Sequence, residues 1–219
     1  MRAGIGLRMP HVEQIIESRP AVAWYEVHTE NYLCGGRRLR QLEAVRRDRP
    51  IGLHGVGMSL GGALPLDVRH LARVASLADR IDPHLVSEHL AWSIGGGAYL
   101  NDLLPVPYTE EALAAVARNV DARQSALGRR VLIENPSTYL RFVESTIPEA
   151  EFLATLARAT GCGILCDVNN IYVSCCNNGG DPLSYLARLP AASVGEIHLA
   201  GHSINDADGV PVYIDDHGS

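Results

Sequence analysis

The chain has 219 residues, 47% hydrophobic and 20% charged, which suffices for one large domain or two small ones with a substantial core. Its formal charge of −6 argues against a broadly basic nucleic-acid-binding surface, and no apolar run approaches the roughly 18 residues that span a bilayer. The opening residues, Met1-Arg-Ala-Gly-Ile-Gly6, lack the long apolar region of a signal peptide. A cytoplasmic protein is expected, with neither nucleic acid nor membrane as a partner.

Gly4–Leu7 is a short strand signal stopped by Pro10, and His11–Ser18 has the spacing of a short amphipathic helix. Val22–Val27 is β-rich and ends at His28-Thr-Glu-Asn31. Leu39–Arg47 has helical spacing with arginines on its polar face, and Pro50 stops it. Ile51-Gly-Leu53 leads directly to His54, Leu66–Leu77 is helical by period, and Leu85–Glu88 leads to His89. Thr109 is a good N-cap for a helix with acids in its first turn, running to Leu127 with Gly128 as its stop.

Arg130–Ile133 is a strand leading to Glu134. Pro148 suits a first helical turn, and Glu149–Ala159 is helical, closed by Gly161. Gly163–Cys166 is a strand leading to Asp167, Asn177–Gly180 reads as a turn, Pro182–Leu189 as a short helix, and Val194–Ile197 as a strand leading to His198. Asn101, Asp102 and Tyr108 read as loop scaffold. Gly95-Gly-Gly97 lies in a loop without the Lys-Ser/Thr of a phosphate-binding loop, and no G-x-G-x-x-G follows the first strand. Ser59 and Ser87 lie near histidines, but no nucleophile elbow surrounds them.

Strand and helix alternate with a unit of roughly 30 residues, the pattern of a (β/α)8 barrel. A single barrel domain over residues 1–219 is expected. Seven strand candidates are present, so the last βα unit is expected to be absent from this chain.

Five cysteines, Cys34, Cys162, Cys166, Cys175 and Cys176, form neither a disulfide framework nor a CxxC site. Cys162 and Cys166 read as buried thiols. Cys175-Cys176 reads as part of a polar loop, with a redox pair or a soft metal site as the sharper alternative.

His54, His89, Glu134, Asp167 and His198 each end a different strand. In a barrel those ends converge on the face that carries the active site. Asn170, His202, Asp215 and His217 follow in loops above the same rim. Singly, each would serve as a rim hydrogen-bonder or helix cap; together they form a ligand set for divalent metal, with more donors than one ion can use. Glu30 and Asn31 either line the pocket or build their loop.

The strings Gly4-Ile-Gly-Leu-Arg8, Trp24-Tyr-Glu-Val-His-Thr-Glu-Asn-Tyr32, Leu53-His-Gly-Val-Gly-Met-Ser-Leu60, Ser87-Glu-His-Leu-Ala-Trp92, Ile133-Glu-Asn-Pro-Ser-Thr-Tyr139, Cys166-Asp-Val-Asn-Asn170, Glu196-Ile-His-Leu-Ala-Gly-His202 and Ile214-Asp-Asp-His-Gly218 resemble the DUF692 family of multinuclear non-haem iron-dependent oxidative enzymes. The resemblance implies a xylose-isomerase-like TIM barrel. It implies two or three irons in mixed Fe(II)/Fe(III) states, with O2 as co-substrate. It implies a cysteine-containing ribosomal precursor peptide as substrate, modified by oxazolone–thioamide or thiooxazole formation, and a separate partner protein that presents the peptide. His54, His89, Glu134, Asp167, Asn170, His198, Asp215 and His217 match the family's metal-ligand positions, and His202 matches a further position, taken as catalytic. The family pattern continues with a further strand and a glutamate ligand that these residues do not include. The competing expectations are a divalent-metal sugar isomerase or phosphodiester hydrolase on the same barrel, and an inactive metal- or peptide-binding remnant.

Overall fold

The computed structural model describes residues 2–206 and 209–217. Its centre is a parallel seven-stranded sheet: β1 (Ile5–Gly6), β2 (Tyr25–His28), β3 (Ile51–Gly55), β4 (Leu85–His89), β7 (Leu132–Glu134), β8 (Gly163–Asp167) and β9 (Val194–His198), adjacent in that order. All seven segments read as strands from the sequence are strands here. The sheet is curled, because the Glu26 carboxylate of β2 lies 3.0 Å from the His198 imidazole of β9. This is the curled β/α architecture of a TIM barrel.

Helices follow the strands: α1 (Val12–Ser18), α2 (Gly36–Asp48), α3 (Val68–Ile81), α4 (Glu110–Leu127), α5 (Glu149–Thr160), α6 (Val168–Asn178) and α7 (Pro182–Arg188). Their ends obey local chemistry. The Thr109 hydroxyl accepts from the Ala112 amide at the start of α4, and Gly128 ends that helix at a φ of 59°, a conformation a Cβ disfavours. Pro148 occupies the N-cap of α5, one residue before its first turn. Strands β3 and β8 are buried at every residue, as expected where a parallel sheet is covered on both faces. Phe152, Leu42, Leu53, Leu60 and Ile133 are among the fully buried side chains of the single core.

Two hairpins depart from the sequence reading. Trp92–Gly95 (β5) and Ala98–Leu104 (β6) pair antiparallel across Gly96-Gly97, so Asn101 and Asp102 stand on an exposed strand instead of in loop scaffold. His202–Asn205 (β10) and Val212–Asp215 (β11) pair antiparallel above the sheet. Cys175 and Cys176 also differ: they belong to α6, because Asp167 caps a helix where the Asn- and Gly-rich composition suggested a loop. All five cysteines are free thiols. Among the described residues, no helix is long and apolar enough to cross a membrane.

α4 carries an unusual buried charge. Arg123 is fully buried and pairs with the carboxylate of Glu88 on β4, while also donating to the Ser87 carbonyl at 3.2 Å. Breaking a buried pair strands the surviving charge. Arg123→Met is expected to lower unfolding free energy by about 3 kcal/mol, measured by denaturant titration, with part of the loss recovered when Glu88→Gln is added.

Candidate metal centre

Strand register sets the site. His54 on β3 lies level with Ser87 on β4, His89 on β4 with Glu134 on β7, and Asp167 on β8 with His198 on β9. Five residues spread over 145 positions of chain therefore meet at one end of the sheet. Nε2 of His54 and Nε2 of His89 lie 3.3 and 3.2 Å from the same oxygen, Oε2 of Glu134. Nδ1 of His198 lies 3.6 Å from Oε1 of Glu134 and 3.8 Å from Asp167. His54, His89 and Glu134 thus form one potential ligand triad, and Glu134, Asp167 and His198 a second, with Glu134 common to both.

The hydrogen bonds behind the imidazoles show what they offer to the pocket. Nδ1 of His89 lies 3.0 Å from the Gly55 carbonyl, which can only accept, so Nδ1 carries a hydrogen and Nε2 is the nitrogen turned toward Glu134. Nδ1 of His54 is held by the Ser87 hydroxyl at 2.8 Å. Oε2 of Glu134 is buried with no hydrogen-bond donor, as is Oδ1 of Asn170, whose Nδ2 already donates to the Asn135 carbonyl at 3.0 Å. Two imidazole nitrogens and an undonated carboxylate oxygen at about 3 Å leave room for a cation or a proton between them. The donor set, imidazole nitrogen with carboxylate and amide oxygen, fits a hard or borderline divalent metal.

The proton affinities follow from this crowding. Burial alone would raise Glu134, but the imidazoles of His89, His54 and His198 outweigh it and hold the carboxyl at about 2. Burial lowers His54 well below the usual histidine range, leaving a neutral ligand. Burial raises Asp167 to about 6, against the Asn170 amide that it accepts from as the cap of α6. His198 is raised despite burial, through Glu134, Glu196 and Glu26.

The remaining sequence candidates are placed as follows. Asn170 stands on the first turn of α6 with Nδ2 3.4 Å from Glu134. Asp215 and His217 pair at 3.2 Å, with Asp215 near enough to Asp167 to help raise its proton affinity, and Asn169 links them to His202, accepting at 2.9 Å from its Nδ1 and donating to Asp215 at 2.9 Å. His202 packs against the rings of Tyr172 and Tyr213, which also meet each other edge to face. Glu30 turns back to the protein, accepting from the Val56 and Gly57 amides at 3.2 and 2.9 Å, and Asn31 is exposed. Glu30 therefore pins the loop that follows His54.

Sequence reasoning missed Glu26 and Glu196, which flank Nε2 of His198. Strand alternation carried the signal for one of them, since Glu196 lies two residues before His198 and shares its face.

A family described as "RiPP precursor modification enzyme MbnB/TglH/ChrH" matches residues 2–219. The chain belongs to this family. The DUF692 resemblance of the motifs is thereby borne out. Similar proteins include a UPF0276 protein of Bordetella pertussis, 50% identical over 218 residues, covering 99% of this chain and 75% of the relative. A UPF0276 protein of Anaeromyxobacter sp. is 52% identical over 201 residues, covering 91% and 71%. Among solved structures, D-psicose 3-epimerase superposes with a TM-score of 0.61 at 12% identity over 90% of this chain and 72% of its own. A xylose isomerase domain protein from Planctomyces limnophilus superposes with a TM-score of 0.57 at 14% identity, covering 97% and 77%. At such identities these two show the fold alone, a xylose-isomerase-like barrel.

Two outcomes test the geometry. Ser87→Ala removes the group that orients His54 and is expected to weaken divalent-ion binding by about 10- to 100-fold, read by competition with a chelator. Because a ligand must lose its proton to bind, affinity is expected to fall as pH drops through about 6, where Asp167 takes up its proton. An affinity flat from pH 5 to 8 (about three units) would count against Asp167 as a ligand.

Proposed function

We propose that this protein uses two or three irons, in mixed ferrous and ferric states, and O2 to oxidise cysteine residues of a ribosomally made precursor peptide, giving oxazolone–thioamide or thiooxazole products, with a separate partner protein presenting the peptide. The observation that supports this most is the Glu134-centred donor set inside a chain that matches the precursor-modifying family over residues 2–219. Bound iron would supply redox chemistry with O2 and a Lewis acid that favours the cysteine thiolate.

His54, His89 and Glu134 would hold one ion, and Glu134, Asp167 and His198 a second. Asn170, Asp215 and His217 complete the set on the outer side. Hydrogen bonds joining Ser87 with His54, Gly55 with His89, Asn135 with Asn170 and Asn169 with Asp215 keep these ligand groups in place. His202, half-buried against Tyr172 and Tyr213 and tied to Asn169, is suited to holding or moving a substrate proton at the mouth. Asn31 is exposed on the turn after β2 and would contact the peptide, while Glu30 braces the rim beside it.

The experiment is anaerobic loading with ferrous iron, then exposure to O2 with a cysteine-containing candidate peptide, read by mass spectrometry. Loss of hydrogens localised to cysteine is expected with the parent protein and not with Glu134→Gln. A colourless zinc or manganese form with full activity on a sugar or phosphodiester would overturn the oxidative reading.

A further inference from the structure

On the side of His198 away from Glu134 and Asp167, Nε2 lies 3.0 Å from Oε2 of Glu26 and 3.8 Å from Oε1 of Glu196. One potential ligand atom from each of the three residues lies within 4.8 Å of the others. The Glu196 side chain is 3% exposed, yet both of its oxygens lack any hydrogen-bond partner. Two buried unsatisfied carboxylate oxygens are costly unless something positive sits against them. Among the described residues, His198 is the only ion-pair partner of either glutamate, and its other nitrogen already faces Glu134 and Asp167. Burial raises Glu196 to about 7 beside Glu26, so a positive charge is wanted on this side of the ring as well.

We propose that Glu26, Glu196 and Nε2 of His198 form a cation pocket of their own, which takes a hard or borderline divalent ion such as Mn2+ or Fe2+, back to back with the Glu134–Asp167 pocket across one shared imidazole. The ion replaces the hydrogen that His198 otherwise shares with Glu26; with both pockets filled the ring has released both hydrogens and bridges as imidazolate. Carboxylate oxygens from two strands on opposite sides of the curled sheet, closed by an imidazole, give three protein ligands and leave positions for water. The pocket rests on this geometry and stands apart from the oxidative reading.

The test is metal analysis of the full chain equilibrated with Mn2+, comparing the parent with Glu26→Gln/Glu196→Gln. The double variant is expected to bind one ion fewer per chain. An unchanged count would overturn the pocket and leave Glu26 as a group that only orients His198. Because the double variant could fold poorly, crystals of the unaltered protein soaked in Mn2+ provide a second reading by anomalous scattering. A peak flanked by Glu26 and Glu196 is expected; a peak beside His54, His89 and Glu134 with none at Glu26 would overturn the pocket. Peptide oxidation by the iron-loaded parent is scored separately, so either idea can fail alone.

Discussion

One buried carboxylate organises this molecule. Glu134 sits at the end of a three-residue strand, in the core, with an oxygen that no donor satisfies. An ionised carboxylate in such a place is tolerable only with positive charge or strong hydrogen bonds around it. Three imidazoles from β3, β4 and β9 surround it. They reach it because parallel register brings the ends of successive strands to one level, so the position of the site follows from the sheet rather than from any local motif.

Behind the pocket lies a second shell that fixes direction. Gly55 and Ser87 hold the Nδ1 atoms of His89 and His54, so each Nε2 turns inward. Glu30 pins the loop after His54 through the Val56 and Gly57 amides, and its own carboxyl is kept ionised because those amides and His70 outweigh its burial. Arg123 reaches from α4 to Glu88 and to the Ser87 carbonyl, which ties the helix layer to the strand that bears His89. A side chain at Gly55 would collide with the Glu88 carboxylate and approach Arg123, so the close approach of β3 to this pair needs glycine. Packing, ion pairing and ligand direction are parts of one network.

The strands were legible because buried parallel strands are short apolar runs, and here each gives way abruptly to a histidine or an acid. That transition also exposed five of the site residues. What the sequence hid were contacts that depend on curvature. Glu26 and His198 are 172 positions apart and meet only because the sheet curls. α6 was hidden for a different reason: Asp167 has two roles, and reading it as a ligand obscured its capping of the helix that carries Asn169, Asn170 and both cysteines of the pair. Glu30 looked like a pocket residue by position, and its partners proved to be backbone amides. The β5–β6 hairpin was hidden by its Gly-rich turn and by outward faces without apolar alternation.

The double role of Asp167 has a physical consequence. Its Oδ1 accepts from the Asn170 amide at 2.7 Å, while Oδ2 faces His198. The helix it caps supplies both Asn170 to the pocket and Asn169 to His202 and Asp215. Asn135 locks the same point from the other side, exchanging hydrogen bonds with the backbone of Asp167 at 2.9 Å in each direction. Inner and outer halves of the centre are consequently coupled through a single carboxylate. The same carboxylate that faces His198 therefore caps α6, and α6 carries the Asn169 that bonds both His202 and Asp215.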